Sequence, residues 1–242
     1  MDTIVLYTGP TPNGRKVSIA LEEMALAYQT EYVDILDGDQ HTPEFLKLNP
    51  NNKFPVIIDP QGPDGTPLTL WESGAILWYL AEKTGTFLPA QGADRPLVHQ
   101  WLMFQMASVG PMFGQFAHFF FYAKDKHPYA LERYGNEMAR LLRVMDEHLS
   151  DKTWFVGDAY SIADMAIYPW VEGAVNAPGA PPRPALKVWV DRMASRPAVQ
   201  RGMDVAREKV RPEIVEGGMR GFNDEHRSQL FGAAQHARNQ KN

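Results

Sequence analysis

Pro55-Val56-Ile57-Ile58-Asp59, then Pro60-Gln61-Gly62-Pro63-Asp64-Gly65-Thr66, then Pro67-Leu68-Thr69-Leu70-Trp71, and at once Glu72-Ser73-Gly74-Ala75-Ile76: this stretch decides the fold. Two apolar runs flank a segment dense in turn formers, which predicts an antiparallel hairpin. Each run opens on a proline, a position where the missing N–H is tolerated. From Glu72 the pattern turns helical, with Ile76, Tyr79, Leu80 and Lys83 on one side and Gly85 as a C-terminal stop.

Upstream, Thr3 to Tyr7 is a short apolar run broken by Gly9-Pro10-Thr11-Pro12-Asn13-Gly14, after which Val17, Ala20, Leu21 and Met24 recur at helical spacing. Gln29 to Asp34 forms a second strand. Thr42-Pro43-Glu44-Phe45 starts a short helix, with a threonine cap and a proline in its first turn, and Asn49-Pro50 ends it. The order over residues 1–85 is therefore βαβαββα, an α/β layer. Downstream, residues 86–94 form a linker rich in breakers, and no strand signal returns. Helices are expected at Arg95 to Tyr122, interrupted at Gly110-Pro111, then at Tyr129 to Leu149, Ile162 to Gly173 and Pro184 to Arg196. Residues 95–200 are thus an all-α second domain. Residues 201–242 form a C-terminal extension, expected to be partly disordered from about Val210 around Glu216-Gly217-Gly218.

The chain holds 24 basic and 29 acidic residues for a net charge of -5, so nothing marks an attraction to nucleic acid. No run approaches the roughly 20 apolar residues a membrane span needs, and the N-terminus lacks a basic then apolar leader, so a cytoplasmic protein is expected. The seven histidines show no metal-ligand spacing, and no metal is expected. There is no cysteine at all, which removes disulfides and any thiol nucleophile of the chain's own.

Three segments carry candidate chemistry. In Asn52-Lys53-Phe54-Pro55, a cis bond before Pro55 would turn the main chain of Phe54 outward to pair with a bound peptide; an ordinary trans proline is the alternative. Glu72-Ser73 sits at a strand-to-helix junction, where amide N–H groups and a hydroxyl can hold a carboxylate and the glutamate can face an ammonium; equally, Ser73 caps the helix and Glu72 sits at its favourable dipole end. Thr11-Pro12-Asn13-Gly14 precedes the first helix, where donors and the positive dipole end would stabilise a thiolate held nearby, or simply cap the helix. The aromatic run His118-Phe119-Phe120-Phe121-Tyr122 reads as core or dimer interface more readily than as the lining of an apolar co-substrate pocket.

Taken together and in this order, these elements resemble the cytosolic glutathione transferases over about residues 3–200. Thr11-Pro12-Asn13-Gly14, Gln40 ahead of Pro43-Glu44-Phe45-Leu46, Asn49-Pro50-Asn51-Asn52-Lys53 and Trp71-Glu72-Ser73-Gly74-Ala75-Ile76 are similar to the nu-class glutathione-dependent disulfide-bond oxidoreductases. Ser161-Ile162-Ala163-Asp164 resembles the family's helix-capping motif, in keeping with reciprocal capping by serine and aspartate. The resemblance implies a thioredoxin-like N-terminal domain with a mixed four-stranded sheet, an all-α C-terminal domain and a homodimer. It implies that Asn13, Gln40, Lys53, Phe54, Glu72, Ser73 and Arg133 bind glutathione, that Thr11 and Asn13 face its sulfur, and that Pro55 is the structural cis-proline. Tyr7, the activating residue by analogy with other classes, reads here as a strand residue of the core.

The activity this implies is glutathione-dependent disulfide reduction, the tripeptide supplying the thiol the chain lacks. The alternatives are conjugation to electrophiles or peroxide reduction, and a non-enzymatic regulatory or ligand-carrying member of the fold.

Overall fold

A computed structural model describes residues 3–210 and 223–235. The first part runs β1 (Ile4–Thr8), α1 (Pro12–Glu23), β2 (Tyr28–Tyr32), α2 (Pro43–Leu48), β3 (Val56–Asp59), β4 (Leu68–Trp71) and α3 (Ser73–Thr84), the expected βαβαββα order. The sheet order is β2-β1-β3-β4; β1 runs parallel to β2 and antiparallel to β3, which pairs antiparallel with β4. The sheet is therefore mixed and four-stranded. Local chemistry sets the ends: Thr11 Oγ1 accepts from Gly14 N–H, Thr42 Oγ1 accepts from Phe45 N–H, and Gly85, past α3, takes the left-handed conformation at φ 66°.

The second part contains α4 (Asp94–Phe104), α5 (Gly110–Ala117), α6 (Pro128–His148), α7 (Ile162–Asn176), α8 (Pro184–Ala194) and α9 (Pro197–Asp204). Gly110-Pro111 does not interrupt the helix expected from Arg95 to Tyr122. A wider π-helical turn at Gln105–Val109 joins α4 to α5, a second at His118–Tyr122 extends α5, and Pro111 falls just past the first of these turns.

Alternate faces of β3 feed different clusters. Ile57 joins one large core with Ile4 and Leu6 of β1, Val17 and Leu21 of α1, Leu77 of α3 and the buried residues of α4 and α7, so one core spans both parts. Val56 joins Val33 and Phe45 in a smaller cluster, with Tyr7, Phe54 and Trp71 packed against it.

The start of α7 is capped reciprocally, as expected. Ser161 Oγ accepts from Ala163 N–H at 3.2 Å while Asp164 Oδ2 accepts from Ser161 N–H at 3.0 Å. Asp164 goes further, accepting from Phe155 N–H at 3.2 Å and from the Trp189 indole at 2.9 Å, so it also ties α7 to α8.

Helix α9 continues past residue 200 and lies directly on α1. Ser18 Oγ donates to the Gly202 carbonyl at 2.6 Å, and a Cβ on Gly202 would stand 2.5 Å from Ile19 Cα. Gly202→Ala is expected to destabilise the protein by about 1–3 kcal/mol, because backbone rather than a side chain must move; a lowered guanidinium midpoint would register it.

Glu216-Gly217-Gly218 lies outside the described residues. Where disorder was expected further on, residues 223–235 carry α10 (Asp224–Phe231), whose cap Asn223 Oδ1 accepts from His226 N–H at 2.8 Å. Arg227 Nε donates to the Tyr122 carbonyl at 3.1 Å, and Phe231 packs on His118 and Tyr122. The aromatic run is consequently not core: none of its five residues is buried, and Phe120 is 52% exposed. Its ring contacts outside the run are with Phe116 of α5, His127, Tyr134 of α6 and Phe231 of α10.

Candidate functional site

A cleft of about 260 Å³ lies beside the start of α1. Thr11, Pro12 and Asn13 form one wall, Ile35, Gln40 and His41 a second, Asn52, Lys53 and Phe54 a third; Trp170 of α7 and Gln229, Leu230 and Gln235 of the C-terminal segment complete it.

Asn13 is held in a defined orientation. The Trp170 indole N–H donates to Asn13 Oδ1 at 3.0 Å. An indole nitrogen can only donate, so it selects the amide oxygen and leaves the amide NH₂ as the group Asn13 offers to the cleft. That donor stands at the positive end of α1, where a negative charge is favoured. Gly14 serves a close approach: a Cβ there would collide with the Gly9 carbonyl and the Thr8 side chain, so only glycine lets the helix start this near the end of β1.

The loop before β3 is wired by its own asparagines. Asn49 Oδ1 accepts from Asn51 N–H at 2.8 Å, Asn49 Nδ2 donates to the Lys53 carbonyl at 2.5 Å, and Asn52 takes positive φ at 48°, a conformation asparagine tolerates. The Phe54-Pro55 bond is cis, and the ladder of β3 begins just beyond it, at Val56. Gln40 is 4% exposed; its Nε2 donates to the Ile35 carbonyl at 3.2 Å, while its Oε1 is buried with no partner. A buried acceptor on a cleft wall is a place for a ligand N–H. His41 Nε2 lies 3.1 Å from the Gln229 carbonyl and 3.2 Å from Gln40 Nε2, and its Nδ1 lies 3.1 Å from Asn52 Nδ2, so the ring links the wall of the cleft to the C-terminal segment.

At the start of α3, Glu72 is exposed with φ 71° and ψ 112°, outside the regions an L-residue prefers, a strain of about 1–3 kcal/mol of the kind concentrated at ligand-binding sites. Ser73 beside it is buried, and its Oγ accepts from Lys16 Nζ at 3.3 Å. Both are in the expected place at the sheet-to-helix junction, though neither lines the cleft as bounded above.

Residues 11–83 match the family model described as the glutathione S-transferase N-terminal domain, and residues 109–197 match the glutathione S-transferase C-terminal domain. The chain belongs to the glutathione S-transferase family. This transferase is 47% identical over 197 residues to the disulfide-bond oxidoreductase YfcG of Escherichia coli, covering 81% of the chain and 92% of that relative. It is 39% identical over 216 residues to YghU, also an Escherichia coli disulfide-bond oxidoreductase, covering 84% and 74%. Among solved structures it resembles a transferase from Pseudomonas putida with one glutathione disulfide bound per subunit, at TM-score 0.81 and 46% identity over 84% of this chain and 92% of the other. A Pseudomonas fluorescens family member with two glutathiones bound gives TM-score 0.80 and 47% identity, with the same coverage.

Of the residues expected to bind in this transferase, Thr11, Asn13, Gln40, Lys53 and Phe54 meet at one cleft, with Pro55 directly behind. Arg133 does not reach it. On α6 its side chain is 56% exposed and its guanidinium lies 3.9 Å from Glu137. Tyr7 packs edge-on to Phe45 and does not line the cleft. Lys16, His41, Trp170 and Gln229 escape the sequence reading. Lys16 alone left a trace: it stands one turn before Ala20, inside the apolar stripe of α1, where a lysine is out of place. Among the described residues no three histidines or carboxylates gather as metal ligands, and no helix is long and apolar enough to cross a membrane.

Proposed function

We propose that this transferase reduces disulfides, using glutathione bound in the cleft as its thiol. The observation that carries the reading is the Asn13 amide, its oxygen occupied by Trp170 and its NH₂ left for a sulfur at the positive end of α1, in a chain with no cysteine. Thr11 and Asn13 face the sulfur; Gln40 Oε1 takes a ligand N–H, the main chain of Phe54 pairs with the tripeptide, Lys53 approaches a ligand carboxylate, and Glu72 with Ser73 holds the γ-glutamyl head. Arg133 takes no part in the cleft of a single subunit.

In the reaction, bound glutathione thiolate attacks one sulfur of the substrate disulfide. The S–S bond breaks, a mixed disulfide with glutathione forms, and the departing thiolate takes a proton. A second glutathione thiolate then attacks the mixed disulfide, releasing the second thiol and glutathione disulfide, so two glutathiones are oxidised for each disulfide reduced. The neighbours solved with two glutathiones or one glutathione disulfide support a cleft that holds the pair.

The wall of Ile35, Leu230 and Trp170 favours a second acceptor class, apolar electrophiles conjugated to the same thiolate. Turnover of bis(2-hydroxyethyl) disulfide with glutathione, beside conjugation of an aryl halide, separates the two. Disulfide turnover is expected, and a flat disulfide trace next to strong conjugation overturns the proposal. A cytoplasmic homodimer completes the reading: the thiol-rich cytosol supplies glutathione, and half-exposed Leu97 and Met103 on α4 offer an apolar contact.

A further inference from the structure

Lys16 lies beneath the proposed binding set without belonging to it. Its side chain is 1% exposed, and Nζ reaches three neutral atoms: Ser73 Oγ at 3.3 Å, Gln105 Oε1 at 2.5 Å and Met106 Sδ at 3.4 Å. A cation sealed among neutral dipoles is costly, and such a group normally stays because an anion completes it. The chain supplies little of that anion. From the start of α3, exposed Glu72 acts on Lys16 at a distance; from the Gln105–Val109 turn only uncharged Gln105 and Met106 face it. Glu172 of α7 and Asp204 of α9 act on Arg15, while Glu22 and Glu23 of α1 are paired with Arg201 and Arg196.

We propose that Lys16 is a positioning residue and the counter-charge of a carboxylate subsite at Ser73. Its ammonium donates to Ser73 Oγ, and the Ser73 hydroxyl, which makes only a long 3.8 Å contact to Met106 Sδ, turns from that sulfur to the α-carboxylate of the bound γ-glutamyl group. The arriving carboxylate thus meets a buried cation one hydroxyl away, together with the unpaired amide N–H groups that open α3. This rests on the glutathione reading above, and on the tripeptide lying with its γ-glutamyl end at α3.

The assignment makes ligand binding a proton-linked event. Burial draws Lys16 down to about 7, so above neutral pH it is largely uncharged until a carboxylate restores its proton. S-methylglutathione keeps the carboxylate and has no thiol proton to release. Its calorimetric titration into the intact protein at pH 8, in two buffers of different ionisation heat, counts the protons exchanged. The wild type is expected to take up roughly half a proton or more per site. Lys16→Met and Ser73→Ala are expected to lose that uptake and to bind about tenfold more weakly, the loss of one charge-assisted bond. Wild-type affinity should also fall between pH 7 and 8.5, with Lys16→Met flat. No uptake in the wild type, or equal uptake in wild type and Lys16→Met, overturns the assignment and leaves the glutathione reading intact. Failure of S-methylglutathione to bind the wild type overturns that reading itself. Should Lys16→Met not fold, the wild-type uptake and Ser73→Ala still decide.

Discussion

Asn13→Ala is expected to lower kcat for disulfide reduction about 10²–10³-fold, the usual cost of removing one donor aimed at a developing or standing anion in a sheltered site. Glutathione should still bind, because the contacts proposed for Gln40, Phe54 and Ser73 are untouched. The diagnostic is the bound thiol itself. Thiolate absorbance near 240 nm, followed against pH, should show its pKa shifted upward in the variant. Trp170→Phe keeps an aromatic ring, though a smaller one, and deletes the N–H that occupies Asn13 Oδ1, freeing the amide to rotate and present either end to the sulfur. An intermediate loss of roughly tenfold is expected, the weight of one hydrogen bond acting through another residue. Tyr7→Phe should stay near wild type, since Tyr7 packs on Phe45 away from the cleft. Activity lost in Tyr7→Phe and kept in Asn13→Ala would reverse the assignment of the thiolate's donor.

The largest stability effect is expected at Asp164, which does not line the cleft. Its carboxylate is fully buried and accepts four donors: Ser161 N–H, Ser161 Oγ–H, Phe155 N–H and the Trp189 indole. Burial pushes its pKa up to about 6, against the pull of those donors. Asp164→Ala strands the donors in a dry interior and unties α7 from α8, a loss of about 3–5 kcal/mol. Asp164→Asn should recover only part, because its NH₂ presents a donor to donors. Guanidinium unfolding of the three proteins measures the effect, and a loss under about 1 kcal/mol would mean that water or a repacked Trp189 takes over the donors.

These two sites differ in how far the sequence discloses them. The Ser161–Asp164 cap is visible because its partners lie three residues apart, and helix geometry brings them together wherever the helix lies. The Asp164–Trp189 bond joins residues on two helices and is not. The same division runs through the cleft. Thr11 as a cap, the threonine before Pro43, the hairpin after Pro55 and the glycine ending α3 are all short-range, and each stands where expected. The aromatic run is only half legible, since a string of rings reads as core or as an interface by hydrophobicity alone, and only the folded chain shows that none of the five is buried. Gly110-Pro111 misled for a related reason: π-helical turns let the run continue through the break, and nothing local announces them.

By itself, then, the amino-acid order determined the succession of strands and helices, their caps, the absence of any thiol, and the family pattern that gathers Thr11, Asn13, Gln40, Lys53, Phe54, Glu72 and Ser73 as candidates. Tertiary structure alone decided what surrounds them: Trp170 on Asn13, Lys16 under Ser73, Gln229 on His41, and Arg133 outside the cleft. The physical reason is range. Caps, turns and periodicity are settled by forces among residues a few positions apart. The direction of an amide or the company of a buried ammonium is settled by groups that meet only when distant helices pack around one core.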